Sequence, residues 1–214
     1  STRAAIAENL NKRFGTHYTA DNLYLTMGAA ACLSACFTAL IKPGDESIVI
    51  APYFPEYRIW IEFAGGVCVE VPAREDNFQI DLDALEQAIT EKTKAVVINT
   101  PNNPVGTVYT RETLEGLADV LVQAEQRFGH DIYLISDEPY RELVYDGIKV
   151  PFVPDYYNNT FIAYSYSKSL SLPGERIGYV CVNSAADGFD DIVSCLNVAN
   201  RICGFVNAPT LWQK

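Results

Sequence analysis

AVVINTPNNPVGTVYTRETLEGLADVLVQAEQRFGHDIYLIS, residues 95–136, holds one complete unit of the fold. AVVIN (95–99) is apolar and β-branched up to its last residue, the composition of a strand covered on both faces. TPNNPVGT (100–107) follows, where two prolines and a glycine fix a turn with Asn102 and Asn103 at its tip. Thr110 stands where a helix N-cap belongs. Behind it Leu114, Leu117, Ala118, Leu121, Ala124 and Phe128 form one apolar stripe at helical spacing. A second apolar run, DIYLIS (131–136), closes the unit. Strand, amphipathic helix and strand in this order predict parallel pairing with the helix laid across one face.

Outward from this unit the pattern repeats. LYLT (23–26), SIVIA (47–51), VCVEV (67–71), FIAY (161–164) and GYVCV (178–182) are further strand candidates, several of them separated by segments with helical spacing. The reading is an α/β protein: one three-layer α/β/α domain over residues 1–214, with a mostly parallel sheet of about seven strands. No repeat, low-complexity tract or linker divides it. Residues 1–14 read as an amphipathic helix with no strand before it. At the other end NAPTLWQK (207–214) reads as the start of a helix, with Asn207 as cap and Pro209 in its first turn. These ends predict a domain excised from a longer chain.

The net charge of −11 argues against a nucleic-acid or membrane-surface partner. No apolar run has the length of a membrane span, and no signal peptide opens the sequence, so a cytoplasmic protein is expected. Six cysteines without a CxxC pair, and only two histidines, make a metal site an unpromising reading. Reduced core thiols are expected instead, with Cys32 and Cys36 on one helical face.

Ligands of parallel sheets bind beyond the carboxyl ends of the strands, so the residues following each run carry the functional reading. Gly28, Ala29 and Ala30 open a helix with bare backbone N–H groups, which suit a phosphate. Phe54, held between Pro52 and Pro55, can stack on a flat ligand. Asn103 presents an amide. Asp137 ends a buried strand, where a carboxylate needs a cation or a donor, and Tyr140 follows it. SYSKSLSLPGER (165–176) places Lys168 between serines and returns Arg176, whose fork matches a phosphate. A lysine drawn among cations or away from water becomes a nucleophile toward carbonyls. Each signal has an ordinary structural explanation. Together they fit one ligand, pyridoxal 5′-phosphate, with its phosphate, flat ring, ring nitrogen, phenolic oxygen and aldehyde.

TPNNPVG, SDEPY and SYSKSLSLPGERIGY, in this order and spacing, closely resemble the class I/II aminotransferases, the aspartate-aminotransferase-like group of pyridoxal-phosphate enzymes of fold type I. The resemblance covers essentially the whole sequence. It implies that Lys168 is the Schiff-base lysine and that Asp137 pairs with the pyridine nitrogen. It gives Tyr140 and Asn103 the phenolic oxygen, and Phe54 the ring face. Ser165, Ser167 and Arg176, with the backbone of Ala29 and Ala30, fall at the phosphate positions. Lys168, Asp137 and Tyr140 are thus the expected catalytic residues, and an amino acid and a 2-oxo acid the expected substrates of a homodimer. The resemblance also implies an N-terminal arm and a C-terminal small domain outside residues 1–214. The small domain would carry the arginine that grips the substrate carboxylate, so negligible turnover is expected of this chain alone. Val105 stands where the family more often has threonine, a change expected to be harmless. The same active-site set serves a C–S β-lyase and the pyridoxal-phosphate-binding effector domain of a transcription regulator, which are the alternative readings.

Overall fold

The structure is a computed structural model that describes residues 1–205 and 207–213. In chain order its elements are α1 (Thr2–Phe14), β1 (Leu23–Thr26), α2 (Gly28–Leu40), β2 (Glu46–Ala51), α3 (Glu56–Phe63), β3 (Val67–Pro72) and α4 (Leu82–Ala88). They continue as β4 (Thr93–Asn99), α5 (Arg111–Phe128), β5 (Tyr133–Asp137), β6 (Thr160–Ser165), α6 (Tyr166–Ser169), β7 (Gly178–Val182) and α7 (Phe189–Ile202). The seven strands form one sheet in the order β1-β7-β6-β5-β4-β2-β3. β7 runs antiparallel to both of its neighbours, and every other pairing is parallel.

The alternation of side chains along each strand divides the core into two faces. Val49, Val97, Ile135, Phe161 and Val180 point to the side covered by α2, α3 and α7. Ile48, Ile50, Val96, Ile98 and Leu134 point to the other, against α4 and α5. There α1 covers the far end of the sheet through Ala7 and Leu10, packed on Leu23, Ile162 and Tyr179. The three-layer sandwich expected from the strand pattern is therefore present.

α5 forms as its stripe dictates. Thr110 Oγ1 accepts from the Thr113 N–H, and Gly129 ends the helix in the left-handed region at φ 72°. Leu114, Leu117 and Leu121 are fully buried, each worth about 1.5–3 kcal/mol of burial.

Two expectations are corrected here. A four-residue 3₁₀ turn, Thr210–Gln213, replaces the helix predicted to start at Asn207, so Pro209 lies before the turn rather than inside it. Of the six cysteines only Cys32, Cys36 and Cys181 are buried, while Cys195 is exposed. Cys195 lies on α7, whose buried stripe is Ile192, Leu196 and Ala199. The apolar neighbours of Cys195 in sequence therefore face a different way.

Candidate active site

The row Thr26–Gly178–Ser165 crosses the sheet at one edge, and Asp137 and Asn99 pair with one another further along. Because β7 is antiparallel, its beginning lies level with the ends of β1 and β6. The loops before β7 and after β1, β4, β5 and β6 thus converge. Gly178 makes the convergence possible, since a Cβ there would lie 2.4 Å from the Tyr164 carbonyl and 3.0 Å from Gly28. Above this edge is a cavity of about 300 Å³. All ten residues expected from the sequence line it.

At one end Arg176 lies across the start of α2. Its guanidinium donates to the Met27 carbonyl at 3.3 Å and the Pro173 carbonyl at 2.8 Å, and reaches Ser167 Oγ at 3.5 Å. Gly28 leaves the room: a Cβ at this position would stand 2.5 Å from Arg176 Nη2, and its φ is +81°. Ser165 Oγ and Ser167 Oγ are 2.7 Å apart, and the Ser167 N–H donates to Ser165 Oγ at 3.1 Å. Arg176 itself holds a left-handed backbone, φ 50°, a strained conformation of the kind found at ligand sites. With the first N–H groups of α2 behind Ala29 and Ala30, this end is a cationic, donor-rich cradle.

Asp137 is 6 % exposed and is the last residue of β5, the buried strand end at which its sequence places it. Tyr57 donates to its Oδ2 at 2.6 Å. Its other oxygen, Oδ1, is buried with no hydrogen-bond partner among the described residues. Burial raises the Asp137 carboxyl to about 7, against the lowering effect of the Tyr57 hydrogen bond, and the Glu138 carboxylate adds to the rise. An orphaned, desolvated carboxylate oxygen is costly unless a donor arrives. A protonated ring nitrogen is such a donor.

The loops hold the remaining groups. Asn99 donates from its amide to the Asp137 carbonyl at 2.8 Å and accepts from the Asn103 N–H at 2.6 Å, which pins the Asn103 turn to β5. Asn102 serves that turn locally, accepting from the Val105 N–H at 3.2 Å. Burial raises the Tyr140 phenol, Asp137 adds to the rise, and the Asn103 amide opposes it. Phe54 meets Tyr57 edge-on at 5.8 Å, and Trp60 beside it also lines the cavity.

Lys168 sits in the one-turn helix α6, with Nζ 5.7 Å from the centroid of the Tyr140 ring. It is exposed, which differs from a lysine drawn away from water. α6 begins at the sheet edge and turns outward, leaving Lys168 at the rim of the cavity while Asp137 forms its floor.

Tyr57, Asn99 and Trp60 are the contributors that strand-end reasoning assigned no part of their own. Asn99 carries a signal, a polar side chain closing an apolar run. Tyr57 carries none, because its partner is 80 residues away. Among the described residues no group of three or more His, Cys, Asp or Glu side chains is placed to hold a metal ion. No helix there is long and apolar enough to cross a membrane.

A mostly parallel α/β sandwich with a lysine, a buried acid and an anion cradle at one sheet edge defines a class of small-molecule-binding domains. Comparison with known proteins narrows it. The family described as aminotransferase class I and II matches residues 1–213, and the chain belongs to that family. A probable aspartate/prephenate aminotransferase of Thermus aquaticus is 41% identical over 183 residues, 84% of this chain and 45% of the relative. The aspartate aminotransferase of Geobacillus stearothermophilus is 37% identical over 201 residues, 90% of this chain and 48% of the relative. A solved aminotransferase from Eubacterium rectale superposes with a TM-score of 0.98 at 57% identity, over 99% of this chain and 54% of that one. Thermus thermophilus aspartate aminotransferase with maleate gives 0.84 at 34% identity, over 99% and 53%. The chain spans about half the length of the relatives it matches.

Proposed function

We propose that this chain is the large domain of a pyridoxal 5′-phosphate-dependent aminotransferase that moves an amino group from an amino acid to a 2-oxo acid. The observation that carries the reading is the orphaned Asp137 Oδ1 on the floor of a cavity that also holds Lys168 and the Arg176 cradle. When bound, the cofactor supplies an aldehyde for amines and a ring that takes up the electrons left as the α-proton departs.

The protein's part follows from its own residues. Arg176, Ser165, Ser167 and the first N–H groups of α2 hold the phosphate dianion. Phe54 covers one face of the ring. Asp137 Oδ1 accepts from the ring nitrogen and keeps it protonated. Tyr140 and Asn103 donate toward the phenolic oxygen. Lys168 Nζ is the amine that anchors the aldehyde. With its amine free, Lys168 would serve as the general base toward the substrate α-proton and as the acid that gives a proton back. Its place on the rim, in reach of entering molecules, suits that double task.

Three of the relatives are named for aspartate and prephenate, which makes L-aspartate the first donor to try and weighs against the β-lyase and regulator alternatives. By the same reading the full-length protein is a cytoplasmic homodimer. Incubated with pyridoxal phosphate, L-aspartate and 2-oxoglutarate, it should release oxaloacetate, and Asp137→Ala should lower turnover by roughly 10²–10³-fold. Binding of the cofactor with no 2-oxo acid released from any amino-acid donor would contradict the proposal.

A further inference from the structure

The two oxygens of Asp137 have different surroundings, and one residue makes the difference. Tyr57 is 1 % exposed, and its hydroxyl has Asp137 Oδ2 as its hydrogen-bond acceptor. We infer that Tyr57 is a positioning residue for the cofactor: by donating to Oδ2 at 2.6 Å it turns Oδ1 to the cavity and favours the ionised carboxylate. The inference rests on the pyridoxal phosphate reading above and adds a residue to it.

The geometry leaves Tyr57 little freedom. Its N–H donates to the Phe54 carbonyl at 3.1 Å, its ring stands edge-on to Phe54, and it packs on Trp60 at 6.3 Å. The turn into α3 therefore delivers both the stacking ring of Phe54 and the hydrogen bond of Tyr57, so the ring face and the ring-nitrogen acceptor are set by one piece.

The other ionisable groups near Asp137 do not supply this bond. Glu138 accepts from Ser136 Oγ at 2.8 Å and is paired with Arg141. The Cys32 thiol of α2 engages Thr26. Tyr140 lies toward the cavity beside Lys168. A buried carboxyl drifts toward its neutral form, and a protonated Oδ1 could no longer accept from a ring N–H. The Tyr57 hydroxyl opposes that drift, since an O–H donor favours the ionised acceptor.

The test follows Asp137 itself in the full-length, cofactor-free protein. Aspartate is labelled at the side-chain carboxyl carbon, and Asp137→Asn identifies the resonance. In Tyr57→Phe the titration midpoint should rise by roughly one pH unit. Fluorotyrosine at position 57, a stronger donor of the same shape, should move it the other way. Tyr53→Phe, on the same aromatic cluster without a bond to Asp137, should leave it in place. Cofactor affinity near neutral pH should fall about tenfold in Tyr57→Phe, the gap narrowing as pH rises.

Unmoved midpoints in a protein that binds pyridoxal phosphate normally would overturn the part given to Tyr57. Should the phenylalanine variant fail to fold, the fluorotyrosine protein decides alone. If the wild-type protein binds no pyridoxal phosphate at any pH, the underlying reading falls instead, a result distinguishable from the first.

Discussion

Glycine 28 shows how much of the site hangs on single atoms. It combines a left-handed φ with contact against the Arg176 guanidinium, so Gly28→Ala meets strain and steric overlap together. We expect a loss of about 1–3 kcal/mol in urea unfolding and a displaced Arg176, read as weaker binding of inorganic phosphate. Unchanged phosphate affinity would remove Arg176 from the cradle. Residues of this kind were legible in the sequence wherever a strand end carried unusual chemistry. Asp137, Lys168 and Arg176 stand out because a charge at the mouth of a buried strand demands an explanation. Tyr57 carries no such signal, since its role exists only once α3 packs across the sheet. Asn99 was visible as a polar end to AVVIN, yet its two bonds to neighbouring loops needed the register to be known.

At the scale of elements, the loop after β5 is held by a buried ion pair. Arg141 Nε donates to Glu138 Oε2 at 2.7 Å, and its other nitrogens reach the carbonyls of Val150 and Pro151 at 3.1 Å. Its guanidinium also lies over Phe14 and Phe152, which joins the loop to α1. Arg141→Met strands the Glu138 carboxylate and should cost about 3–5 kcal/mol, measured by urea unfolding. The double change with Glu138→Gln should recover part of that loss, and a single variant as stable as wild type would show that the pair holds nothing. The sequence foretold α5 closely, because its stripe and its cap agree. It did not foretell the sense of β7, since a buried strand reads alike in either direction. That sense decides where Arg176 enters. Nor did it separate α6 from a loop, because four residues are too few for periodicity.

For the whole molecule, the site opposes the fold at neutral pH. The Asp137 carboxyl lies at about 7 when folded, against 3.8 for an unperturbed aspartate, so between those limits the folded protein binds the extra proton. Stability from this group therefore falls as pH rises from about 4 to about 7, by up to about 4 kcal/mol. Asp137→Asn should be more stable than wild type at pH 7.5, with the difference shrinking toward pH 4.5 in parallel urea titrations. Equal stabilities at pH 7.5 would mean that the carboxylate is not desolvated. On the proposed reading, the acid carries this burden because its free oxygen is kept for a donor that arrives with the ligand. On the same proposed reading, Lys168 anchors that ligand by its aldehyde. Reduction with borohydride in the presence of pyridoxal phosphate, followed by peptide mass spectrometry, tests it directly. The label should fall on the peptide containing Lys168 and vanish in Lys168→Ala. Labelling spread over surface lysines, or unchanged in that variant, would contradict it.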